Sequence, residues 1–178
     1  MVSVILPASV EEPALIDTLA ALIEGVAEGI VRDCVVVSAA ASQLIERCTD
    51  AAGCMIVTEP GPRDALVRRG AALVRSEWSL VIMPGLVPSG DWLTEIADWI
   101  EARPTPREAA FIPYHARRGL RASWQAMAIN LTPRITGRPH ALNGFLAATA
   151  SLQQTPSPRL ALTALDARML DRRLVSEI

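Results

Sequence analysis

Four short apolar runs alternate with helix-length amphipathic stretches across the first hundred residues, and this order limits the chain to a few architectures. Residues 2–6 form a continuous apolar run stopped by Pro7, as expected of a strand buried on both faces. Residues 34–37, 55–58 and 80–83 repeat the pattern. Between them, Leu15, Leu19, Leu22 and Val26 are spaced as one face of a helix, with Ser9 as its N-cap and Glu11 and Glu12 near its positive end. Residues 42–48 and 63–75 read as two more helices. A fourth is capped by Asp91, carries Trp92, Ile96, Trp99 and Ile100 on its apolar face, and is closed by Pro104 and Pro106. Strand–helix alternation of this kind predicts a mostly parallel sheet with helices on both faces. In such a sheet the ligand crevice lies beyond the carboxyl ends of the strands, here residues 7–10, 38–41, 58–62 and 83–86.

The second half is less regular. Residues 109–113 and 145–148 read as strands, 132–142 as a loop rich in Pro, Gly and Arg, 153–158 as a linker and 164–175 as a final helix. Leu120, Trp124, Met127 and Leu131 form a helical stripe, expected to face the core. The expectation is one domain over residues 1–178, with a nucleotide-binding-type half (1–102) and a shorter half (103–178).

Charge divides along the same line. Residues 1–102 carry 6 Arg against 15 acids, whereas 103–160 carry 8 Arg and one acid, Glu108. All 17 basic residues are arginine, as a GC-rich genome would also produce. Arg117, Arg118, Arg121, Arg134 and Arg138, with His115 and His140, form a basic cluster after the fourth helix. Three readings stay open for it: neutralisation of the acidic half, phosphate binding through guanidinium forks, or contact with an anionic membrane surface or protein partner. A net charge of −2 and the lack of a recognised module argue against nucleic acid. Cys34, Cys48 and Cys54 lack CxxC spacing and nearby His, which excludes a zinc motif and fits a reducing compartment. No apolar run approaches the ~18 residues of a membrane span, and the N-terminus lacks a signal-peptide pattern. The expected location is the cytoplasm, with the inner face of the membrane as the alternative.

The strand ends resemble those of the family 2 glycosyltransferases, which have the nucleotide-diphospho-sugar transferase fold called GT-A. The first strand ends in Pro7 with Glu11 following, as in that family, but Val10 stands where the family has Asn. Arg63, Gly70 and Glu77 match an Arg-led helix and its closing acid; Pro88, Trp92 and Leu93 match the segment after the fourth strand. The resemblance implies an α/β/α sandwich with a mostly parallel central sheet, and a nucleotide-sugar cleft touched by Pro7, Glu11, Ser38, Arg63, Met83 and Gly85. It also implies Mg²⁺ or Mn²⁺, held by an Asp-x-Asp at the end of the fourth strand. Here those positions are Met83 and Gly85, and the family's nucleotide-binding acids are replaced by Ser38-Ala39-Ala40-Ala41. The segment resembling the catalytic helix is Asp166-Ala167…Arg173-Leu174, which puts Ala167 at the base and leaves Asp166 as the one candidate catalytic acid.

Thioether and glycine cannot replace two carboxylates as ligands of a hard cation, so no metal ligand set is found and no cofactor is expected. Two functions remain. One is a glycosyltransferase-like domain without metal-dependent catalysis, a binding or interaction module in glycan or envelope metabolism. The other is an active transferase whose arginines replace the metal.

Overall fold

Every side chain of β1 (Val2–Ala8) is buried, which a central strand of a two-faced sheet requires. It pairs in parallel with β2 (Val31–Ser38) on one side and β4 (Trp78–Val81) on the other, and β3 (Met55–Thr58) extends the sheet beyond β2. The structure, a computed structural model, describes residues 1–9, 13–102, 104–105, 107–115, 120–138, 140–154 and 160–172. β6 (Glu108–Ile112), β8 (Gly144–Ala148) and β9 (Ala161–Ala164) complete a seven-stranded sheet in the order β3-β2-β1-β4-β8-β6-β9. Only β8 runs against its neighbours. The second half of the chain thus finishes the sheet that the first half begins.

Two hydrophobic clusters fill the two faces. One gathers Leu15, Leu19, Ile45, Ile82, Leu86, Trp92 and Ile96, from α1 (Leu15–Ala27), α2 (Gln43–Ala51), α4 (Trp92–Glu101) and the ends of strands. The other gathers Val35, Val37, Leu66, Val67, Phe145 and Leu152, under α3 (Arg63–Ala71) and α6 (Thr149–Gln154). This is the expected three-layer sandwich. Gly70 lets α3 lie hard on the sheet: a Cβ there would stand 2.5 Å from Cγ2 of Ile5.

A small sheet stands apart, formed by β5 (Leu86–Ser89), β10 (Arg168–Asp171) and β7 (Tyr114–His115) in the order β5-β10-β7. It overturns the expected helix over 164–175 as far as residue 172. Leu165, Ala167 and Met169 are buried while Asp166 and Arg168 are exposed, a period of two rather than 3.6. Residues 132–142 are also not all loop. α5 (Leu120–Thr136) runs through Pro133, and hydroxyls on either side bond back to helix carbonyls: Thr132 Oγ1 to Ala128 at 2.9 Å and Thr136 Oγ1 to Thr132 at 2.8 Å. The stripe on α5 faces outward instead of into the core. Ile129 and Pro133 take the inner side, and Trp124, Met127 and Leu131 are exposed.

Smaller departures follow from local hydrogen bonding. α1 starts after Ala14 rather than at Ser9. Ser42 does cap α2, accepting from Ile45 N at 3.4 Å, whereas the Asp91 side chain makes no cap bond to α4. α3 ends at Ala71, where Leu73 N bonds Gly70 O at 2.9 Å in a tighter i→i−3 turn. The expected linker at 153–158 begins inside α6, and its residues 155–158 lie outside the described set.

Candidate functional site

Pro7 sits in a central strand, where a missing N–H normally breaks a ladder. It is tolerated because β4 has already ended. β1 pairs with β4 only as far as Ile5↔Val81, while its other edge continues through Pro7↔Val37 and Ala8↔Ser38. The strands therefore part on the β4 side of Pro7. This is the crevice where the strand order reverses direction from β1, the place where α/β sheets bind ligands.

Several elements converge on the edge. Ser38 closes β2 and its hydroxyl donates to Ala40 O at 2.5 Å, so it shapes its own loop. Arg63 opens α3 just after β3. Its guanidinium is half-buried, its Nε is buried without a hydrogen-bond partner, and burial pulls its pKa down against the opposing charge of Asp64. His140 arrives from the other half of the chain. Burial, and after it the charge of Arg63, hold the imidazole below its ordinary value. Nδ1 of His140 accepts from Leu142 N at 3.2 Å, which leaves the proton of the neutral ring on Nε2.

The end of β4 is built differently from what a cation would need. Met83 packs against the hydrophobic cluster that holds Ile82 and Leu86. Gly85 turns the chain with φ 85°, a left-handed conformation that costs an L side chain about 1–2 kcal/mol. Its N–H is held by Thr18 Oγ1 at 2.8 Å and its carbonyl by Arg172 N at 2.8 Å. Thr18 in turn donates to Leu86 O at 3.0 Å. A carboxylate at position 85 would meet a strained backbone whose polar groups are already engaged. Among the described residues no three His, Cys, Asp or Glu side chains gather as a metal site. The described residues at this edge do not fit a divalent cation.

The structure brings Pro7, Ser38, Arg63, Met83 and Gly85 to one edge of the sheet and does not bring Asp166 there. β10 runs antiparallel to β5, with Asp171 beside Leu86 and Arg168 beside Ser89. Arg172 thus reaches Gly85, while Asp166 lies past the opposite end, exposed, its N–H bonded to Glu95 Oε2 at 3.3 Å. Glu11, Arg117, Arg118, Arg173 and Leu174 lie outside the described residues. Arg121 is in the first turn of α5 and its side chain is likewise outside the description. Arg134 and Arg138 are exposed, and Arg138 leads into the loop of His140.

Sequence reasoning placed His140 only in a general basic cluster and missed Arg172, Thr18, Asn130 and Asn143. The last two hold the His140 loop. Asn143 is fully buried and donates to Asn130 Oδ1 at 2.9 Å; Asn130 also accepts from Tyr114 N and donates to Tyr114 O, each at 2.8 Å. Asn143 N bonds His140 O at 3.0 Å. The partners in this network are 13 to 16 residues apart, so no local motif announces it.

No protein-family model matches the chain, and no curated protein matches it in sequence. Solved structures do match in fold. Glucosyl-3-phosphoglycerate synthase from Mycobacterium tuberculosis, in complex with Mn²⁺, UDP-glucose and phosphoglyceric acid, aligns with a TM-score of 0.58 at 17% identity, over 84% of this chain and 57% of that one. The same enzyme in complex with UDP aligns with a TM-score of 0.53 at 17% identity, over 84% and 57%. A further mycobacterial protein gives 0.57 at 18% identity, over 84% and 53%. The chain spans a little over half the length of these proteins. The strand order, the parted strands beyond Pro7 and these alignments together give the chain a GT-A-like fold.

Proposed function

We propose that this chain binds a nucleoside diphosphate or nucleotide sugar at the carboxyl edge of its sheet without a divalent cation. It would be a family 2 glycosyltransferase-like domain that lacks metal-dependent catalysis and serves glycan or envelope metabolism as a binding or interaction module. The observation that carries this reading is the exchange of charge at the edge. Where a cation-binding pair is expected, the half-buried Met83 packs against the hydrophobic cluster and Gly85 is locked in a turn, while the charge of Arg63 acts on His140. Leaving-group charge is ordinarily offset by a metal acting as Lewis acid; a guanidinium offers two parallel donors to the same oxygens. The relative of known fold crystallised with UDP and UDP-glucose supplies the probes.

Thermal unfolding with UDP or UDP-glucose, in EDTA and in Mn²⁺, tests this. A ligand at a hundredfold excess over Kd stabilises by about 2.7 kcal/mol, or roughly 5–11 °C for a domain of this size. The shift is expected in EDTA, unchanged by Mn²⁺ and lost in Arg63→Ala. A response that requires Mn²⁺ overturns the metal-free reading. No response in either arm overturns nucleotide binding and leaves the interaction module.

The unpartnered Nε of Arg63 favours a second reading, an active transferase that meets the diphosphate with arginine alone. A base must come within hydrogen-bond reach of the acceptor, and Asp166 stands at the far end of β10 from this edge. Release of UDP from UDP-glucose in EDTA, abolished by Arg63→Ala, would decide for the enzyme.

A further inference from the structure

α5 carries large apolar side chains on the side it turns away from the protein. Trp124 is 68% exposed, Met127 58%, Leu131 44% and Ile135 73%. At 3.6 residues per turn these four lie within about 80° of one another. The opposite side holds Ala126, Ile129 and Pro133, and it is there that Ile129 and Pro133 are buried. The helix is thus apolar on both faces, and the outer stripe has the larger side chains. Scattered exposed apolar residues need no explanation, but a contiguous row does.

The stretch of sequence that carries the stripe is basic. No Asp or Glu occurs between Glu108 and Asp166, whereas Arg117, Arg118, Arg121, Arg134, Arg138 and Arg159 do. Arg134 lies exposed in the last turn of α5, next to Ile135, and Arg138 follows just beyond the helix. An exposed row of Trp, Met, Leu and Ile on a helix whose only charged residues are arginines is the pattern of a helix that lies in a bilayer surface. There the rings and alkyl chains enter the headgroup boundary while the guanidinium groups meet anionic headgroups. No helix among the described residues is long and apolar enough to cross a membrane, so contact would be with the surface.

From this juxtaposition we infer that the outer face of α5 docks the protein on an anionic lipid bilayer. The inference does not depend on the nucleotide reading. It does bear on it, because α5 ends just before the loop of His140.

Sedimentation with vesicles tests the inference. The chain is expected to pellet with phosphatidylglycerol–phosphatidylcholine vesicles, to stay in the supernatant with phosphatidylcholine alone, and to be released as salt rises. Trp124 emission should shift to the blue on binding, and Trp124→Phe should keep the binding while losing the shift. Trp124→Ser combined with Ile135→Ser should weaken partitioning at least about tenfold, and Arg134→Glu should weaken binding to the anionic vesicles. All three sites are exposed, and an unchanged thermal unfolding curve confirms that the variants fold. Failure to bind anionic vesicles, or binding undiminished in the double serine variant, overturns the inference. A dimer in solution that stays off vesicles, and that the double variant splits, would assign the stripe to a second copy and equally overturn it.

Discussion

α4 and α5 look alike as sequence and behave as opposites in the fold. Each carries a tryptophan-led apolar stripe at helical spacing. On α4, Trp92 and Ile96 are buried against the sheet. On α5, Trp124 and Leu131 face outward, and Ile129 and Pro133 take the inner side. Periodicity reports that a helix has an apolar face. It does not report which of two apolar faces the sheet will cover, since that depends on how closely the helix must approach. α4 is held by hydrophobic burial, whereas α5 is tied to β7 and the His140 loop through the amide of Asn130.

That contrast can be broken at several points. The largest effect is expected on α4: Ile96 is fully buried, and Ile96→Ala should cost about 2–5 kcal/mol in urea unfolding. A loss under 1 kcal/mol would mean that α4 is not a core helix. On α5 the sensitive position is polar. Asn130→Ala removes the partner of Tyr114 N and of Asn143 Nδ2, for about 1–3 kcal/mol, and should weaken UDP binding by loosening the His140 loop. If unfolding and binding are both unchanged, the network does not anchor this region.

A smaller effect comes from His140. Its pKa in the fold is held below the ordinary value by burial and by Arg63. The unfolded chain therefore binds the proton more readily, and stability contributed at higher pH is lost as pH falls through about 6.5. His140→Gln should flatten that part of the pH profile; an identical slope would exclude the residue. A bound diphosphate reverses the sign, since a nearby anion favours the imidazolium, so UDP affinity should rise over the same descent in pH. Smallest of all, Trp124→Ala should change stability by no more than about 0.5 kcal/mol, and a larger loss would place that side chain in the core after all.

The candidate site was legible where it rests on strand ends. Pro7, Ser38, Arg63, Met83 and Gly85 each follow or close an apolar run, and the parallel sheet carries them to one edge. Met83 and Gly85, at the positions where the resemblance implies carboxylates, are read directly from the chain. Asp166 shows the limit. Its neighbours alternate buried and exposed as a strand does, yet the spacing of acid and arginine resembles a helix, and antiparallel pairing with β5 sends Asp166 away from Gly85 and brings Arg172 to it.

The alternation of helices with the main-sheet strands in the first hundred residues was settled by the sequence itself, though β5 was not, because apolar periodicity is a local property and survives any arrangement of the elements. The outward face of α5, the pairing of β10 and the Asn130–Asn143 network that holds the His140 loop were decided only in three dimensions. Each depends on which surfaces compete for burial and which backbone edges remain to be paired, and those are properties of the assembled sheet rather than of any one segment.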